Sequence, residues 1–396
     1  MPERLTILHL VSLVGRGGRG ATALRQARLL AARGHRVLLG CIAGSLAAER
    51  GREFGVEVLD GFRFRRGFRL LSFWHDCRLL AARCASENVD VVHAHLSQES
   101  WVACAGLRLC ARKPAFIRSR GVVVPVQPHW FNRLLHNRLT TRVVAPSRVI
   151  YEHLRALPGF DPDKTVLLPD GVDITRFSPQ ADGAAVRREF NIGPDAPLVV
   201  MVARLQRVKG HEVFFKALAR LLKAQTIPGL RALCACDERT PGEYEQAVRG
   251  ARELGCPEAS LAFTGLRPDV EKVIAAATVI ALPSLGSEGS SRVALEAGAS
   301  GVPIVASAVG CLPEVIQDGT TGIIVPSGDP DALAAGLARI LQDRELAVRM
   351  GQSARKRIEE LYDENLMAQR LEEIYVSALA PHAAIENRKS EIENQP

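Results

Sequence analysis

Aromatic side chains make up only 5% of the 396 residues, and no apolar run approaches the ~20 residues needed to cross a bilayer; Val273 to Leu282 is about half of one. Membrane arrays are therefore disfavoured. Internal repeats and low-complexity tracts are also missing, which sets aside solenoid, collagen-like and largely disordered classes. A paired cysteine framework is missing too: the nine Cys (Cys41, Cys77, Cys84, Cys104, Cys110, Cys234, Cys236, Cys256, Cys311) are odd in number and mostly set in apolar runs such as Leu233 to Cys236. They read as reduced, buried small hydrophobes of a cytoplasmic protein. The Cys234/Cys236 pair lacks the second pair that a zinc site wants. A cleavable leader is not expected either, because Glu3 precedes the apolar stretch Leu5 to Val14 and a Gly/Arg run follows it.

What is present is a globular composition, with 47% hydrophobic and 24% charged residues and length enough for two or three domains. The net charge of +8 is unevenly placed: 27 basic and 14 acidic residues up to Ser178 give +13, and 24 against 29 beyond it give −5. Thr6 to Val14 reads as a strand, Gly15 to Gly20 as a turn, Ala21 to Arg33 as a helix ended by Gly34, and Arg36 to Ile42 as the next strand. That is a βαβ unit, and Val89 to His93 and Arg142 to Pro146 repeat its buried strands. After a polar stretch from Phe177 to Pro197, strands at Leu198 to Ala203, Ala232 to Cys236, Leu261 to Thr264, Val279 to Leu282 and Val302 to Ala306 alternate with helices at His211 to Ala224 and Glu243 to Leu254. Further helices are expected from Asp329-Pro330 to about Leu341, over Glu345 to Leu361 and over Asn365 to Leu379. The expected fold is α/β with two Rossmann-like domains, 1–178 and 179–364, then a C-terminal helix 365–382 packing back on the first domain and a disordered tail 383–396.

Gly15, Gly17 and Gly20 match the dinucleotide fingerprint GxGxxG. An NAD enzyme would place Asp or Glu at the end of the second strand, where this chain has Gly40, Cys41 and Ile42. A ligand-contacting glycine loop, a turn needed only for packing and a nicotinamide or flavin site remain as readings, with the first favoured because backbone N–H groups at a helix start suit an anion. Leu282 to Glu314 is the most informative segment. Glu288 and Glu296, if joined by a mostly helical chain, would lie about 12 Å apart along the axis and border one cleft, with Gly289, Ser290 and Ser291 between them. The plain alternative is two solvated acids on an exposed helix. DPD at Asp161 to Asp163 and Asp329 to Asp331 reads as turn and cap chemistry rather than a metal site.

Taken together, the motifs resemble the family 4 glycosyltransferases, retaining enzymes of the glycosyltransferase-B fold with two Rossmann-like domains facing each other across a cleft. The resemblance spans nearly the whole chain. It rests on Glu288 and Glu296 followed by GVPIVAS at Gly301 to Ser307 and Pro313-Glu314, on Arg204 and Lys209 in VARLQRVKGH, on Gly17 and Gly18 with Arg33 to His35, and on LPDGVD at Leu168 to Asp173. It implies Glu288, Arg204 and Lys209 as catalytic residues, the first on the donor sugar and the two cations on the diphosphate. Donor contacts are implied for Gly17, Gly18, Leu266, Arg267, Gly289, Ser290 and Ser291, with Glu296 on the ribose. No metal and no cofactor are expected, the nucleotide sugar being a substrate.

Two departures concern the sugar contacts. Gly20 stands where related sequences often have Glu, and Gly121 follows Arg118-Ser119-Arg120 where they often have His. His95 and Arg120 are therefore the candidate acceptor residues. The basic first half and FRFRRGFR at Phe62 to Arg69, followed by Leu70, Phe73, Trp74, Cys77 and Leu80 at helical spacing, suit an anionic glycan or lipid-linked acceptor and an anionic membrane surface. The expected setting is lipopolysaccharide or cell-envelope glycan synthesis at the inner face of the cytoplasmic membrane. No nucleic-acid module accompanies the charge. A non-catalytic sugar-nucleotide or glycan-binding protein is the alternative, and a Rossmann oxidoreductase the third reading.

Overall fold

A computed structural model describes residues 4–12, 18–64, 69–121, 126–238, 240–286 and 288–380. The chain divides into two compact units, 1–170 with 365–396, and 171–364. In the N-terminal unit, seven strands, β1 (Thr6–Val11), β2 (Arg36–Ile42), β3 (Glu57–Phe62), β4 (Val91–Ala94), β5 (Ala115–Ser119), β6 (Arg142–Ala145) and β7 (Thr165–Leu167), form one sheet in the order β3-β2-β1-β4-β5-β6-β7. Helices α1 (Gly18–Ala32), α2 (Leu46–Glu53), α3 (Leu70–Ser86), α4 (Ser97–Gly106), α5 (Trp130–Leu134) and α6 (Arg148–Arg155) connect them. Every pairing is parallel. A parallel sheet buried on both faces requires apolar strands, and β1 from Ile7 to Val11 is buried throughout.

The C-terminal unit repeats this plan with six strands, β8 (Leu198–Arg204), β9 (Arg231–Asp237), β10 (Leu261–Phe263), β11 (Val279–Leu282), β12 (Ile304–Ser307) and β13 (Gly322–Val325), in the order β10-β9-β8-β11-β12-β13. Its helices are α7 (Ala184–Glu189), α8 (His211–Ala224), α9 (Glu243–Glu253), α10 (Val270–Ala275), α11 (Arg292–Ala299), α12 (Leu312–Val315), α13 (Pro330–Gln342) and α14 (Arg344–Leu361). Both sheets reverse strand order once, between β1 and β4 and between β8 and β11. Loops leaving the carboxyl ends of strands at such a reversal diverge and leave a crevice, which is where open α/β sheets bind ligands.

The last helix, α15 (Glu364–Leu379), belongs to the N-terminal unit. Met367, Leu371 and Tyr375, one per turn on one face, are buried with Ile7, Val91 and Ile117. The expected boundary at 178 moves to 170, and within the polar stretch from Phe177 to Pro197 α7 forms, with Phe177, Val186 and Ile192 buried in the C-terminal core. The tail 383–396 and residues 13–17, with Gly15 and Gly17, lie outside the described residues. Asp161 and Asp329 do act as caps, each accepting from the backbone N–H two residues on.

FRFRRGFR divides in two. Phe62 and Phe64 stack at 5.0 Å and are buried, and the Asp76 carboxylate accepts the backbone N–H groups of Arg63 and Phe64, both at 2.9 Å. Residues 65–68 lie outside the described set. Along α3 the expected stripe also splits: Cys77 and Leu80 are core, whereas Leu70, Leu71 and Trp74 are exposed by 54%, 86% and 45%.

Candidate functional site

In the C-terminal unit the reversal point brings together residues 79 positions apart in sequence. Lys209 lies in the loop after β8, Ser284 and Glu288 in the loop after β11. Lys209 Nζ donates to Glu288 Oε1 at 2.6 Å, and Ser284 Oγ donates to the same oxygen at 2.6 Å. Glu288 is only 5% exposed, so the carboxylate has two donors in place of the water it lost. The reading of Glu288 and Glu296 as solvated acids is overturned by their burial, Glu296 being 6% exposed.

Glycine holds these loops. Gly210 adopts φ +74°, and a Cβ there would stand 1.9 Å from the Pro283 carbonyl oxygen. Gly310 adopts φ +55°, and its Cβ would meet the Glu288 carbonyl oxygen at 2.0 Å, the same oxygen that accepts from Cys311 N at 2.9 Å. Leu285 N donates to Val208 O at 2.8 Å, tying the two loops directly. Only glycine permits both the left-handed backbone and the close approach. These contacts fix the position of the Lys209–Glu288 pair before any ligand arrives.

The remaining expected donor residues are placed unevenly. Arg204 ends β8, is exposed and has no ion-pair partner among the described residues. The chain from Glu288 to Ser291 is not helical as expected: α11 begins at Arg292, and Ser291 precedes it with φ 10° and ψ 74°. Glu296 accepts from Arg292 Nη2 at 2.9 Å, one turn away. Leu266 is 49% exposed. The Arg267 guanidinium is already held, by Glu189 at 2.6 Å and by both oxygens of Asp269 at 2.9 and 3.0 Å, and these partners raise its pKa further. Gly18 begins α1.

In the N-terminal unit the reversal point carries a different chemistry. His9 of β1 and His93 of β4 are register partners, and His95 follows β4. His9 Nδ1 and His95 Nε2 are 2.8 Å apart with the rings 12° from parallel and centroids 5.1 Å apart, the geometry of two coplanar imidazoles sharing one proton edge to edge. His93 is bonded through Nδ1 to Tyr375 Oη at 2.6 Å and through Nε2 to Ser119 Oγ at 2.8 Å; Tyr375 Oη lies 3.5 Å from His9 Nε2. Burial lowers all three imidazoles, His9 to about 3, so each is neutral at pH 7. His95, expected to face an acceptor, is instead enclosed in this chain of hydrogen bonds. Ring nitrogens of the three could approach one metal ion. Zinc at about 2.0–2.1 Å from each nitrogen would hold them more than about 3 Å apart, so the 2.8 Å contact fits a shared proton better.

Beside this cluster, Glu99 in the first turn of α4 is fully buried. One oxygen accepts from Ser12 N at the end of β1, the other has no partner among the described residues, and burial pushes its carboxyl up to about 7. Glu99, Ser284, Tyr375, Gly210 and Gly310 were not anticipated from sequence. A lone acid in SQES carries no pattern, whereas the Lys-Gly-His step at Lys209 to His211, just ahead of a helix, was a usable sign of Gly210.

Comparison with known proteins covers both units. Residues 16–176 match the model of Glycosyltransferase Family 4, and residues 183–357 that of Glycosyl transferases group 1. The D-inositol 3-phosphate glycosyltransferase of Corynebacterium kroppenstedtii is 36% identical over 203 residues, 49% of this chain and 44% of that protein. The chain thus spans about half the length of the curated relatives it matches. Among solved structures, a glycosyltransferase from Rickettsia africae superposes with TM-score 0.86 at 21% identity over 95% of this chain and 99% of that one. Anabaena HepE in complex with UDP gives 0.80 at 20% identity over 94% and 100%. At such identities the likeness concerns the fold. The chain is thus built from a glycosyltransferase family 4 domain and a group 1 glycosyl transferase domain on the glycosyltransferase-B fold.

Proposed function

We propose that the protein is a retaining glycosyltransferase that moves a sugar from a nucleoside-diphosphate donor to a hydroxyl of a phosphorylated acceptor. The observation that carries this reading is the Lys209–Glu288–Ser284 constellation at the strand reversal of the C-terminal unit. When the anomeric C–O bond breaks, its electron pair goes to the diphosphate, a C–O bond to the acceptor forms, and the acceptor proton ends on the departing phosphate. Lys209 and Arg204 supply the cations that such a leaving group needs, and their effect is largest as the charge develops. Glu288 orients the donor sugar and Glu296 the ribose, Leu266 offers an apolar contact to the base, and the N–H groups of Gly289, Ser290 and Ser291 approach the donor's phosphates and sugar. With two cations and backbone dipoles for the diphosphate, no divalent metal is required. Retention of configuration rests on the family resemblance alone.

The Corynebacterium kroppenstedtii relative is a D-inositol 3-phosphate glycosyltransferase, and the excess of +13 up to Ser178 favours an anionic acceptor here. The shared chemistry is a hydroxyl beside a phosphate, whether on a small polyol or a lipid-linked glycan of the cell envelope. A membrane contact draws support from the start of α3. Exposed Leu70, Leu71 and Trp74 are accompanied by exposed Arg63, Arg69 and Arg78, none of which has an ion-pair partner among the described residues. Among the described residues no helix is long and apolar enough to cross a membrane.

Nucleoside-diphosphate release from a panel of UDP-, GDP- and ADP-sugars, with inositol phosphate or a lipid-linked phosphorylated glycan as acceptor, tests the reading. One donor should be turned over, faster with acceptor present, and the product anomer should match the donor by NMR. Binding of a nucleotide sugar without any turnover would replace the proposal with a non-catalytic binding protein.

A further inference from the structure

We propose that a pocket of about 270 Å³ at the carboxyl end of β5 is an anion subsite that receives the phosphoryl group of the acceptor. Its role as an acceptor subsite rests on the function proposed above; its chemistry does not. Arg118 and Arg120, two positions apart and so on one side of the extended chain, enter the lining with Gln127, His129, Asn132 and His136. The other five lining residues are apolar, and among the described residues none of the lining is acidic.

Arg118 decides the matter. Its Nε is enclosed without a hydrogen-bond partner, and the side chain has no ion-pair partner among the described residues. Burial lowers its pKa only to about 10, so it remains a cation at neutral pH. Other half-buried cations in this chain are held by an acid, as Lys209 by Glu288, Arg267 by Glu189 and Asp269 and Arg355 by Glu359, or by backbone carbonyls, as Arg187 and Arg357. A guanidinium enclosed without a counter-ion is unfavourable, and a bidentate oxyanion is the ligand its fork of N–H donors fits.

The surroundings narrow the ligand further. His136 lies in the π-helical turn Leu135–Leu139, and its ring is fixed by a 2.8 Å bond from Nε2 to the Asp161 carbonyl. Asn132 is held by its amide on the Gln127 carbonyl at 2.9 Å. These contacts make a formed wall rather than a collection of loose surface charges. The apolar remainder suits ring carbons attached to the anion, which free phosphate does not have.

Binding to the full-length protein, without donor, tests the inference. The probes are inositol phosphate, inorganic phosphate and unphosphorylated inositol, followed by calorimetry and thermal shift. Inositol phosphate should bind at least tenfold more tightly than inositol and more tightly than inorganic phosphate, in the parent and in Lys209→Ala alike. Arg118→Gln should lose at least tenfold of that affinity. Should that variant fail to fold, Asn132→Asp supplies the second test: it places a carboxylate in the pocket at unchanged size, gives up one exposed hydrogen bond to the Gln127 carbonyl, and should lose inositol phosphate to the same degree. The inference is overturned if Asn132→Asp binds as the parent does, if Lys209→Ala alone abolishes binding, or if inorganic phosphate binds as tightly as inositol phosphate. Because no donor is present, a negative result here leaves nucleotide-sugar turnover intact, and failure of turnover leaves this result standing.

Discussion

Replacing Glu99 by Gln should free the N-terminal unit from a pH penalty that the parent carries. Burial raises the carboxyl from 4.5 to about 7. Between those values the folded protein holds a proton that the unfolded chain releases, so folding stability falls as pH rises from the unfolded pKa through the folded one and levels off above it. The interval is about 2.5 pH units, and at about 1.4 kcal/mol each this caps the loss at about 3 kcal/mol. Gln keeps the oxygen that accepts from Ser12 N, and the other oxygen has no partner to lose. The variant should therefore match the parent at pH 5 and exceed it by about 2–3 kcal/mol at pH 8. Urea unfolding followed by tryptophan fluorescence reads the relevant unit, since Trp74, Trp101 and Trp130 are the chain's three Trp and all lie in it. Other buried groups that titrate, such as His136, are common to both proteins and cancel in the difference. Parallel stability profiles from pH 5 to 8 would refute the assignment of a buried, protonatable Glu99.

Three further outcomes follow from the same geometry. Glu288→Gln and Lys209→Ala should each lower turnover about a hundredfold or more; Lys209→Ala should also cost about 2 kcal/mol in urea unfolding, because Glu288 is buried and would lose its ammonium partner. Undiminished turnover in both would remove them from the site. EDTA should leave activity unchanged, and loss with rescue by Mn²⁺ or Mg²⁺ would mean that Arg204 and Lys209 do not suffice for the diphosphate. Anionic vesicles should sediment the parent at low salt, less so at 0.15 M, where the Debye length is about 8 Å, and least with Arg63, Arg65, Arg66 and Arg69→Ser together. Equal sedimentation of that variant would make the stretch structural.

Sequence reading succeeded where a single local pattern determines the outcome. The helix expected over His211 to Ala224 forms over those residues, and Asp329 caps α13, because apolar periodicity and a cap followed by Pro depend on near neighbours. β3, β5, β7 and β13 escaped notice: β3 is mostly half-exposed at the sheet edge, β5 has five residues with Arg118 and Ser119 at its end, β7 has three residues and β13 four, and none offers a long apolar run. Arg267 has partners that sequence reading did not show. Its place in a motif pointed to a ligand, but Glu189, 78 residues earlier, meets it only after folding. His95 is similar, since the partner that encloses it, His9, lies 86 residues away and Tyr375, which completes the chain of hydrogen bonds, comes from the last helix.

The two reversal points carry different chemistry on one topology. In the C-terminal unit the strand ends deliver a charged pair, and Gly210 and Gly310 pack the loops so tightly that the pair is held without a ligand. A donor diphosphate would then compete with Glu288 for Lys209, exchanging one anion for another at a fixed cation instead of ordering a free lysine, which lowers the entropy lost on binding. In the N-terminal unit the strand ends deliver imidazoles that burial keeps neutral, so the positive charge of that half acts elsewhere, at Arg118 and Arg120 beyond β4 and along the start of α3. The imidazoles are enclosed and bonded to one another, to Tyr375 and to Ser119, so under the proposed function the arginines to one side would be the groups that select for charge.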